Sequence, residues 1–111
     1  TGVQTCALPI YECIIKNFEL TVKRLYQTAE NFHHYTDDDG RITSLSCQVN
    51  CKHHVESIHH YPGEYLWFVH RETAGGHYEG YSKFSLEAAL TDLQMTISKG
   101  IVRIETRGAE G

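Results

Sequence analysis

The residues with most capacity for chemistry lie between positions 47 and 60. The run Cys47-Gln-Val-Asn-Cys51-Lys-His53-His54 is followed by His59 and His60. Thiolate and imidazole are the ligands that a tetrahedral zinc ion takes. The C-x3-C-x-H spacing offers Cys47, Cys51 and His53 within seven residues. His59 is the first choice for the fourth ligand, with His54, His60, His70 and Cys13 as alternatives. Geometry sets a condition. On one continuous strand Cys47 and Cys51 would lie about 13 Å apart, too far to share an ion whose bonds to sulfur are about 2.3 Å. The chain must therefore turn at Val49-Asn50 for the site to form. Four protein ligands would make the zinc structural, because a catalytic zinc keeps one position open. The competing reading is two half-buried sheet cysteines and solvent-facing histidines.

Other constellations carry less. His33-His34 falls where the first helix is expected to end, and imidazoles there meet the negative end of the helix dipole. His70 and His77 flank the Arg71–Gly76 loop and can face each other across a hairpin; the plainer reading is a surface rim. Asp37-Asp38-Asp39-Gly40 fails as a calcium loop. Tyr35 stands where the first acid is needed and Ser46 where the closing glutamate is needed. A solvated turn is expected instead. The chain has no H-E-x-x-H, no G-x-S-x-G and no phosphate-cradling glycine loop. A cysteine–histidine pair or a histidine-rich metal site keeps a small metal-dependent hydrolase as an alternative, but the expectation is a non-enzymatic protein.

The elements that would position these residues follow from periodicity. Tyr11, Ile15, Phe18, Val22, Leu25, Ala29 and Phe32 recur at spacings of four and three, which predicts an amphipathic helix from Tyr11 to about Phe32. Leu45, Cys47 and Val49 alternate with Ser44, Ser46 and Gln48, predicting a strand over 41–49. Residues 64–70 and 77–84 read as two further strands joined by a glycine-containing turn. Ser85 is a good N-cap for a second helix, with Leu86, Ala89, Leu90, Leu93 and Ile97 as its buried stripe and Lys99-Gly100 at its end. Ile101–Ile104 could add a short last strand. The expected fold is α+β, a small single domain over 11–107 with the order α-β-β-β-α. Both helices should lie on one face of an antiparallel sheet, with 108–111 as a loose tail.

Charge narrows the partners. The net charge is -4 and the basic residues are dispersed from Lys16 to Arg107. Direct nucleic-acid binding needs a basic footprint and is not expected. The same element order occurs in double-stranded-RNA-binding domains, but here no lysine cluster opens the second helix. No apolar run approaches the roughly 20 residues of a membrane helix. Three cysteines beyond residue 10 make a poor disulfide framework, and a cytoplasmic location is expected.

Two resemblances remain. Thr1–Ile10, TGVQTCALPI, is similar, codon by codon on back-translation, to the end of a common short-read sequencing adapter. That implies a non-native scar over 1–10, a lost native N-terminus and a metagenomic source, with Cys6 and Pro9 carrying no meaning. In length, single-domain size and mild acidity, the remainder resembles small phage accessory proteins, in particular anti-CRISPR proteins that inhibit type II RNA-guided nucleases. The resemblance implies a stoichiometric protein binder, zinc-stabilised through 47–60, that blocks target-DNA loading or cleavage in the bacterial host. Independently of the resemblance, charge and position in or beside loops and hairpin strands make Asp37, Asp38, Asp39, Glu72 and Glu79, with Glu56 and Glu64, the expected acidic contacts. A phage or plasmid interaction module without inhibitory role is the alternative.

Overall fold

A computed structural model describes residues 10–100. The expected scar, apart from Ile10, the proposed strand at 101–104 and the tail at 108–111 lie outside the described residues. Helix α1 spans Ile10–Leu25, followed by strands β1 (Glu30–Thr36), β2 (Ile42–Asn50), β3 (His54–Tyr61), β4 (Leu66–Thr73) and β5 (Gly76–Ser82), and helix α2 (Leu86–Ser98). The five strands form one antiparallel sheet in sequence order. The α+β class with two helices on one face is as expected. The strand count is not, since β1 and β3 add to the three predicted strands.

α1 stops at Leu25, where the Tyr26 N–H donates to Val22 O at 2.8 Å, and the chain leaves the helix through a short turn. Ala29 and Phe32 continue the apolar spacing, but they reach the core from that turn and from β1. The predicted long helix was thus a coincidence of period across two elements. His33 and His34 belong to β1, not to a helix end. β1 is an irregular edge strand, with register shifts at Glu30/His33 and Tyr35/Thr36. Such bulges discourage edge-to-edge association.

The ladder Cys47–Ile58–Val69–Gly80 runs across β2 to β5. It marks the helix-covered face. Leu45, Cys47, Val49, Ile58 and Val69 meet Phe18 and Val22 of α1 and Leu86, Ala89 and Leu93 of α2 there, and together they form the core. α2 starts as expected, with the Ala88 N–H donating to Ser85 Oγ at 3.0 Å. It ends at Ser98 with Lys99 as its C-cap, and Gly100 just beyond takes the left-handed φ of 72° that favours glycine. No helix among the described residues is long and apolar enough to cross a membrane.

Candidate metal centre

The opposite face of the sheet is covered by neither helix. On it, antiparallel pairing places His59 opposite Phe68, Phe68 opposite Tyr81, His70 opposite Glu79 and Glu72 opposite His77. Side chains two residues apart on a strand share a face. His70 and Glu72 on β4 therefore join His77 and Glu79 on β5 as a two-by-two block with imidazole and carboxylate alternating. The β4–β5 turn fixes this register. The Thr73 hydroxyl donates to Gly76 O at 3.0 Å and accepts from the Gly75 N–H at 3.1 Å, closing a two-residue loop at Ala74-Gly75.

His77 is the centre of the block and is only 7% exposed. Its Nδ1 meets a Glu72 carboxylate oxygen, and its Nε2 lies 3.2 Å from Glu79 Oε2. The His70 ring is tilted against it with centroids 5.0 Å apart. His70, Glu72 and His77 each offer one ligand atom, and these atoms all lie within 4.8 Å of one another. Two imidazoles and one carboxylate make a donor set suited to zinc and other first-row divalent ions. Calcium and magnesium prefer oxygen alone. If His77 held an ion through Nδ1, Glu79 on Nε2 would serve as the carboxylate commonly found behind a metal-bound histidine. The group could hold a metal ion with little more than side-chain rotation, since ligands around zinc sit roughly 3.3 Å apart at bond lengths of about 2.0–2.2 Å.

The structure does not bring the four sequence-predicted ligands together. β2 runs unbroken through Val49 and Asn50, and the turn comes after it, where the Cys51 N–H donates to His54 O at 2.8 Å. Cys47 and Cys51 thus keep the separation of an extended strand. Cys47 packs in the core with 4% exposure. Burial pushes its thiol up to about 12, away from the thiolate a metal needs. Burial, then the charge of Glu56, also raises the Cys51 thiol. His53 sits exposed in the turn. His59 faces the open side, paired with Ser46. There it stacks on His70 at 5.5 Å, beside the candidate centre rather than in the predicted one. Burial, then the His70 charge, lowers its pKa.

Of the acids expected to face a partner, Asp37 builds its own turn. Its Oδ1 accepts the Asp39 and Arg41 N–H groups, both at 2.9 Å. Asp38 and Asp39 are exposed. Glu72 and Glu79 turn toward His77. The repeated signal H-x-E on each side of the hairpin, His70-Arg-Glu72 and His77-Tyr-Glu79, could have revealed the block. It becomes informative only when the turn is set at Ala74-Gly75.

One more histidine has a consequence for stability. His60 lies on the helix side, stacked on Trp67 at 4.1 Å, and burial pushes its pKa below the ordinary 6.5. The unfolded chain therefore takes up this proton at a higher pH than the folded one. Stability should fall as pH drops through about 6.5 toward the lower folded-state value. Denaturant melts of the parent and His60→Phe across this range should show a shallower slope in the variant.

Compared with protein-family models, curated proteins and solved structures, the chain matches none.

Proposed function

We propose that this domain is a metal-binding module that holds a first-row divalent ion, zinc foremost, on the open face of its sheet. His70, Glu72 and His77 are the ligands, and Glu79 orients His77. The observation that carries this reading is the convergence of two imidazoles and a carboxylate within 4.8 Å. The carboxylate beyond His77 supports it. Zinc suits the donors, and in this reading it is held by nitrogen and oxygen rather than by the sulfur site expected from the sequence.

Three protein donors leave one position for an outside ligand. A side chain of a partner protein in that position would make the ion part of an interface. That partner would be a type II RNA-guided nuclease, the class implied by the chain's resemblance to small phage anti-CRISPR proteins, and the module would inhibit it. A water there would instead favour a metal-dependent hydrolase. Stoichiometric inhibition of such a nuclease that is lost in chelator supports the first. Turnover of a phosphodiester or ester by the zinc-loaded protein supports the second.

Metal binding itself is tested by calorimetric titration of zinc into metal-free protein. About one equivalent should bind, and His77→Gln should weaken binding at least 100-fold. Glu79→Gln should cost about 10- to 100-fold, as for other carboxylates behind ligating histidines. Cys51→Ser should leave affinity unchanged. Loss of binding in Cys51→Ser with full binding in His77→Gln would overturn the assignment.

A further inference from the structure

On the helix side, at the end of the molecule away from the candidate metal centre, a cleft of about 480 Å³ opens between α1 and the β3–β4 turn. Phe18 and Trp67 stack at 5.8 Å on its floor, and His60 stacks on Trp67. Asn17 brings a carboxamide from α1, while Tyr65 and Phe84 stand at the rim. Its lining contains no Lys, Arg, Asp or Glu.

Three observations say that this is more than a gap between elements. His60 Nε2 is buried and makes no hydrogen bond among the described residues, a state that buried polar groups rarely keep. Phe84 is 91% exposed. It precedes the Ser85 N-cap, where an apolar residue ordinarily packs against its own helix, yet here the ring is left in water at the mouth of the cleft. Tyr65 holds φ at 50°, in the left-handed region where glycine would fit without strain. Strain of this kind concentrates at functional sites.

We propose that this cleft binds a small, uncharged planar nitrogen heterocycle. Its ring lies against the aromatic walls under Phe84 and Tyr65, and a rotation of the His60 ring brings the buried Nε2 to a ring nitrogen or N–H of the ligand. An uncharged ligand follows from the wall, which offers no ion to pair with a charge. Planarity follows from the rings, which favour stacked or edge-on aromatic contacts. The nitrogen follows from His60, whose buried atom requires a polar partner.

The protein has a single tryptophan, and it lies in the cleft. One indole N–H resonance in a proton–nitrogen correlation spectrum therefore reports on the site. The full chain is titrated with benzimidazole and with indene, its all-carbon analogue. Benzimidazole should shift the Trp67 resonance saturably and bind more tightly than indene. His60→Phe, which keeps a ring against Trp67, should weaken benzimidazole about tenfold, the effect of one lost hydrogen bond, and leave indene unchanged. Phe84→Ala should weaken both probes without lowering the melting temperature, because that side chain packs on little. The proposal is overturned by the absence of saturable shifts, by equal binding of the two probes, or by unchanged benzimidazole affinity in His60→Phe. It is also overturned if the Trp67 resonance moves with protein concentration alone, which would make the cleft a contact between copies of the chain.

Discussion

Arg71→Met should destabilise the protein by about 3–5 kcal/mol, the range for breaking one partner out of a buried ion pair. Glu56 is fully buried on the helix side of β3. Arg71, its neighbour on β4, donates from Nε to Glu56 Oε2 at 2.7 Å and reaches the same oxygen with Nη2. His54 Nε2 also meets Oε2, at 3.0 Å. Glu56 Oε1 has no hydrogen-bond partner among the described residues, so the carboxylate is balanced through one oxygen. The Tyr26 hydroxyl, just past the end of α1, is held far above its ordinary pKa by burial and then by Glu56. Removing Arg71 leaves that fully buried carboxylate with only the His54 imidazole beside it. Replacing both partners should be milder than replacing either one. The double variant Glu56→Met/Arg71→Met exchanges two desolvated charges for apolar volume, which is often neutral or stabilising. Urea melts of the two single variants and the double variant close the cycle. If the double variant loses as much as the two singles summed, the two residues act independently and the ion pair is not the reason for either loss.

This buried pair also explains why part of the fold could not be read from the sequence. β2 and α2 were legible because Leu45, Cys47 and Val49, and then Leu86, Ala89 and Leu93, follow the period of their element and point to one core. β3 was not, because its inward positions are His54, Glu56, Ile58 and His60, of which only Ile58 is aliphatic. A strand whose buried face is mostly polar has no alternating hydrophobic signal, and its histidines were read as zinc ligands instead. β1 was hidden differently. Ala29 and Phe32 extended the helical spacing of α1 by chance, while the chain turns over Tyr26–Ala29, where the Ala29 N–H donates to Tyr26 O at 3.2 Å, and Asn31 takes a φ of 57° at the register shift inside β1. The metal site was half visible. His70 was an alternative ligand and His77 its neighbour across a turn, but Glu72 and Glu79 looked like surface acids. Only the register joins all four, and register depends on which two residues form the turn. In the same way Cys47 and His59 lie on adjacent strands but on opposite faces, a difference set by a single residue of offset.

Gly80→Ala should cost about 3 kcal/mol or more, near the upper end for overpacked positions. Gly80 sits at the end of the Cys47–Ile58–Val69 ladder, where α2 crosses β5. A Cβ there would meet Ala89 O and Leu93 Cα at 2.6 Å and come closer still to the Leu93 N. All three atoms are helix backbone, so no side chain can rotate away, and α2 would have to lift from the sheet. Ala89 and Leu93 are fully buried against that surface. Moving the helix outward loosens their packing along the whole contact, which explains why one methyl group has a large effect. A domain of this size has a stability of only about 5–15 kcal/mol, so Gly80→Val should leave little folded protein. Gly75→Ala is the matched control. Its Cβ would meet only Thr73 Oγ1, at an ordinary 3.7 Å. Alanine there should be neutral or stabilise by up to about 1 kcal/mol through a less flexible unfolded chain. Guanidinium melts followed by circular dichroism measure all three variants. A Gly80→Ala midpoint within error of the parent would mean that α2 does not rest on Gly80, and the placement of both helices on one face would need revision.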